Sequence, residues 1–265
     1  MKFFRALRVD LRRSLIQKKT LLLLALLLGY MCFNASQYLF GTQAGAGAPL
    51  ILQQALHSIT ALDGLYLAIV PALYAASFLQ DTQSGFAKEA AARVGVGNLL
   101  LSRGVAAALS AFLLGALAAG VFSLGMAAAG FSQTVLGPGM GTYLDLVWEG
   151  RLAGYYAVQL TVFGLDCAMA ASAALLVSTW IPNSYVTILS PVVLYYFLRF
   201  FLRMMIGLLP DDPIFGFLYL ENYMSGEFFR EDHLLSAVVS CTGLLTVTAL
   251  CLWGFLRRGR RRLGI

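Results

Sequence analysis

The sequence predicts an all-α polytopic membrane protein with six transmembrane helices, an N-terminal amphipathic surface helix and both termini in the cytoplasm. Three observations carry that prediction. First, 59% of the residues are hydrophobic and 12% are charged, with a mean hydropathy of +0.76, whereas soluble domains are roughly 45–50% apolar. Second, the apolar residues fall into six runs of about 20 residues, the length that crosses a hydrocarbon layer of roughly 30 Å. Third, the basic residues gather at alternate ends of those runs, as topology demands. A water-soluble fold is excluded, and one transmembrane domain accounts for residues 1–265.

Residues 2–19 place Phe3, Phe4, Leu7, Leu11 and Leu15 on one helical face, with Arg5, Arg8, Arg12 and Arg13 largely elsewhere. That pattern suits a helix lying on an anionic leaflet. The leucine-rich run from Thr20 has the look of a signal peptide, but a long basic stretch precedes it and five apolar runs follow. It is expected to stay as the first span. The expected spans are about 20–40, 59–80, 104–130, 154–179, 185–207 and 234–256.

Between them, Gly41–Pro49 and Gly137–Pro138–Gly139 read as loops, and Trp180–Asn183 as a tight turn. In the segment 81–103, Asp81 is expected to cap a short surface helix that Gly95 and Gly97 end. Ala107, Ala111, Gly115 and Ala119 recur every four residues, a stripe that lets a neighbouring helix approach closely. The aromatic and acidic segment 208–232 is too polar to span and reads as an extracellular or re-entrant element.

Charge fixes the expected orientation. Seven Lys/Arg precede the first span, Lys88, Arg93 and Arg103 lie between the second and third, and five follow the sixth, which is 15 of 19. The other side holds Arg151 and Arg230 with most of the acids. By the positive-inside rule the basic side is cytoplasmic. The net charge of +6 therefore reports topology, and no nucleic-acid partner is expected.

Little in the sequence carries bond-making chemistry. There is no HExxH, GxSxG, Walker A or EF-hand pattern, so no catalytic residue and no metal site is expected. The four cysteines, Cys32, Cys167, Cys241 and Cys251, lie in apolar runs without a CxxC spacing. His57 and His233 fall near outer helix ends, where a solvated histidine is the ordinary case. Asp166 is the one acid well inside a span. It lies 16 residues before Pro182 and Arg199 lies 17 after it, a similar depth in an antiparallel hairpin. An Asp166–Arg199 ion pair, or an Asp166–Arg203 contact one turn further, is expected in a structural role rather than in a proton relay.

The cytoplasmic loop carries a resemblance. Phe78, Asp81, Gly85, Lys88, Gly95, Ser102 and Arg103 are similar to the loop of ATP-binding-cassette type-2 exporter permeases, which runs Phe-x-x-Glu-x-x-x-Gly-x-x-Lys, then a Gly and a basic residue, then Ser-Lys. Asp81 stands for the usual Glu, Asn98 near the usual basic residue, and Arg103 for Lys. The motif covers about 25 residues; the surface helix, six spans and inward termini extend the likeness at a coarse level.

The resemblance implies a permease subunit of the bacterial cell membrane that dimerises, with a second copy or a divergent permease, and rests on a separate ATP-binding-cassette ATPase. That partner would hold ATP and Mg, because this chain has no Walker A loop and is itself non-catalytic. The loop after the second span would be the coupling helix, with Asp81, Gly85, Phe86 and Lys88 as its contacts. The cargo would be a peptide, an antibiotic or a lipid-like molecule, and membrane lipids would surround the bundle. Two other readings compete: a non-transport assembly or immunity factor, and a secondary carrier, against which stand the missing internal repeat and the single midplane acid.

Overall fold

The computed structural model describes residues 2–41, 46–57, 64–135, 137, 143–206, 220–225 and 232–262, without the side chains of 2, 75, 76, 203, 205, 206, 220 and 221. These residues are helical and contain no strand. In chain order the helices are α1 (Lys2–Leu15), α2 (Lys18–Asn34), α3 (Ser36–Phe40), α4 (Ala48–Leu56), α5 (Tyr66–Ile69), α6 (Ala75–Gln83), α7 (Phe86–Val94), α8 (Val96–Ala128), α9 (Leu144–Trp148), α10 (Leu152–Ser178), α11 (Ser184–Ile206), α12 (Leu220–Ser225) and α13 (His233–Arg262).

Four of them, α8, α10, α11 and α13, are long and apolar enough to cross a membrane. A fifth crossing arises if α1 and α2, bent by 58° at Ile16–Gln17, count as one span. The expected second span differs most from expectation. Residues 58–63 lie outside the description, and the remainder breaks into α5, a single 3-10 turn at Pro71–Leu73 and α6. The cause is local: Pro71 has no amide hydrogen to donate, Tyr74 leaves the helical region at φ −137°, and Gly64 turns the chain at φ +79°.

Other boundaries shift for equally local reasons. Pro49 lies in the first turn of α4 rather than in a loop, a position where its missing N–H costs nothing. The turn at 180–183 is as expected, with the Asn183 Oδ1 accepting the backbone N–H groups of Tyr185 and Val186 and so capping α11. Of the segment 208–232, only α12 and Asp232 are described.

The centre of the bundle is the pairing of α8 with α10. Small residues make it: a Cβ added at Gly115 would lie 2.5 Å from the Cys167 sulfur, and one added at Gly164 would lie 2.8 Å from the Phe112 ring. The small-residue stripe therefore serves packing inside the chain. α13 covers the other side of α10, while α11 and α13 leave Leu189, Val193, Phe197, Leu245 and Trp253 exposed.

The basic segments converge on one end. α1 packs on the start of α8, an added Cβ at Gly97 would meet the Arg260 guanidinium, and Arg262 donates to the Ser178 carbonyl at the end of α10. Arg258 lies 5.1 Å above the Trp180 ring at the same end. The opposite end joins the Ala48 N–H to the Ser132 carbonyl and the Tyr156 hydroxyl to the Gln133 Oε1.

Candidate functional site

Two polar regions stand out from the apolar bundle. At the basic end, α1 does not simply lie on a surface: Leu7 and Leu11 pack against a small core of Phe78, Leu100 and Phe255, and Asp10 and Ser14 on the same face are buried. Phe4, Val9 and Ile16 are the exposed apolar side chains of this segment. Asp10 accepts hydrogen bonds from the Tyr74 hydroxyl and the Ser102 hydroxyl, both at 2.8 Å.

One turn along, Asp81 is the hub of the end. The Arg13 guanidinium donates to both its oxygens at 2.8 and 3.1 Å, and the Arg103 Nη2 donates at 2.7 Å. Arg103 is 2% exposed and also lies over the Phe78 ring at 5.6 Å. The hydrogen bond and charge of Asp81 raise the Arg13 guanidinium above its ordinary value, so it stays protonated throughout the accessible pH range. Charge-assisted, bidentate pairing of this kind fixes geometry as well as energy, and it joins α1, α6 and α8 into one unit.

The residues expected to contact a partner separate here. Asp81 does not cap the short helix; it sits within α6 and is 6% exposed, turned inward to its two arginines. Gly85 takes the capping place, at φ +80°, where an L side chain is strained. α7 then exposes Phe86 (51%), Lys88, Glu89 and Arg93 while burying Ala87 and Ala91. Gly95, at φ +92°, ends it as expected, but Gly97 lies inside α8, which begins at once. The surface available to a partner is Phe86 and Lys88, not Asp81.

The second region is inside the bundle. Asp166 is fully buried on α10, and among the described residues neither of its oxygens has a hydrogen-bond partner. Arg199 does not pair with it; its guanidinium donates to the Tyr195 hydroxyl at 3.3 Å and lies over that ring. The Arg203 side chain lies outside the description. The polar groups near Asp166 are instead Tyr66, Tyr143, Cys167 and Cys241. Equal depth in a hairpin sets height along the axis but not the face a side chain takes, and these two side chains do not pair.

Beside this region, α10, α11 and α13 border a half-open cavity of about 600 Å³ lined chiefly by apolar residues such as Met169, Pro191, Leu194 and Val247, with Tyr195, Tyr223, Thr242 and Thr246 also on its walls. Pro191 interrupts the donor ladder of α11 where it borders the cavity. The His57 Nε2 is buried and has no hydrogen-bond partner among the described residues, and His233 lies 3.7 Å from Glu149 at the acidic end. Among the described residues no group of three or more His, Cys, Asp or Glu could hold a metal ion. Comparison with protein families, with curated proteins and with solved structures gives no match for this chain.

Proposed function

We propose that the chain is the membrane-spanning permease subunit of an ATP-driven exporter, and that α7 is the element through which a separate ATPase drives it. The observation that carries this reading is the exposed, amphipathic α7 braced from below: Asp81 at the end of α6 holds Arg13 of α1 and Arg103 of α8, while Phe86 and Lys88 project outward. A helix that is pushed by a partner must be exposed on one side and rigidly joined to the membrane helices on the other. The positive-inside rule puts this basic end in the cytoplasm, where ATP is found.

The apolar cavity between α10, α11 and α13 suits an amphipathic cargo, a peptide, antibiotic or lipid-like molecule. Six spans, inward termini and pairing with a second permease, identical or divergent, belong to the same proposal. The permease itself performs no covalent chemistry; it switches between inward-open and outward-open states as its partner closes on ATP.

The test is copurification of the tagged chain in mild detergent, comparing wild type with a Phe86→Asp, Lys88→Asp double variant. An ATPase that elutes with wild type and is lost from the variant is the expected result. Its absence from wild type under conditions that preserve other membrane complexes would overturn the reading, leaving an assembly or immunity factor as the better description.

A further inference from the structure

We propose that the groove between α1 and α7 is a binding site for the phosphate of an anionic phospholipid headgroup. The groove has a volume of about 630 Å³ and is walled by Arg5, Val9 and Arg13 of α1, Phe86 and Arg93 of α7, and Arg103 of α8. Four arginines line it. Two acids oppose them: Asp10, already engaged by Tyr74 and Ser102, and Asp81, already engaged by Arg13 and Arg103.

Arg103 supplies the second, independent observation. It is 2% exposed, yet among the described residues its Nε and Nη1 have no acceptor. A buried guanidinium donor without an acceptor is costly, and the rigid fork of Arg matches the oxygens of a phosphate. Arg5 and Arg93 are exposed at the rim, available to the remaining charge.

The surroundings favour a lipid over a soluble phosphate. Val9, an exposed apolar side chain, borders the groove, and Phe4 and Ile16 are exposed on the same segment. α1 bends by 58° into α2, so the groove stands where the chain turns from the surface into the apolar layer. An acyl chain can lie against these side chains while the headgroup enters among the arginines; inorganic phosphate gains nothing from them. The site is independent of the exporter reading.

Native mass spectrometry of the whole chain, released from nanodiscs of equimolar phosphatidylglycerol and phosphatidylcholine, tests this. Wild type is expected to retain phosphatidylglycerol selectively, and excess inorganic phosphate is expected not to displace it. Arg5→Gln with Arg93→Gln should weaken retention about 25-fold, at about 5-fold for each surface arginine. Arg258→Gln, at the same end but outside the groove, should leave it unchanged. Equal retention by wild type and the double variant, with the same unfolding temperature, would overturn the groove. Displacement by inorganic phosphate would overturn the lipid.

Discussion

Asp81 and Asp166 are both buried carboxylates on helices, and the molecule treats them in opposite ways. Asp81, at the basic end, receives three hydrogen bonds from Arg13 and Arg103 and ties three helices together. Asp166, in the bundle interior, has no hydrogen-bond partner among the described residues. Burial alone therefore does not identify a structural ion pair; a paired acid rigidifies, whereas an unpaired one is a cost the fold tolerates.

The largest effect expected from breaking this contrast is that of Asp81→Ala. It strands the buried Arg103 charge, and loss of one member of a buried pair costs about 3–5 kcal/mol, read as a fall in the thermal unfolding midpoint in detergent. Adding Arg103→Met to that variant should restore most of the loss, because no uncompensated charge then remains. Arg13→Gln removes the partly exposed partner and should cost about 1 kcal/mol or less, since water screens that pair.

Asp166→Asn should leave the midpoint unchanged or raise it; a drop as large as that of Asp81→Ala would reveal a partner and erase the contrast. The smallest effect belongs to α7. Phe86→Ala with Lys88→Ala should move the midpoint by about 2 °C or less, while ATPase copurification falls.

Much of the architecture was legible because apolar length is a coarse and robust signal. α10, α11 and the start of α13 lie within a few residues of the expected spans, and Asn183 caps as a turn Asn should. The second span was not legible as broken, since its composition is apolar throughout and only Pro71 and Gly64 mark the interruption. α8 begins eight residues earlier than expected because its first turns, though polar at Asn98, Ser102 and Arg103, are held by α1 rather than by lipid.

The site was legible in composition but not in pairing. Asp10 is the sole acid in the basic N-terminal run, and it shares a face with Leu7, Leu11 and Ser14, a signal that this face meets protein. Asp81 and Arg103 were both visible within the loop motif, yet nothing in a linear sequence says that they point at each other. Asp166 and Arg199 show the reverse error, where matched depth suggested a contact that is not made.

Gly95 gives the molecule a mechanical property. It is the single residue between α7 and α8, and α8 then runs 33 residues without a proline, or about 50 Å at 1.5 Å per residue. A tilt of about 5° at its near end sweeps the far end through about 4 Å. There the chain continues to Ser132, whose carbonyl holds the first turn of α4. If α8 moves as a rigid rod, a small displacement at the basic end reaches the opposite end enlarged.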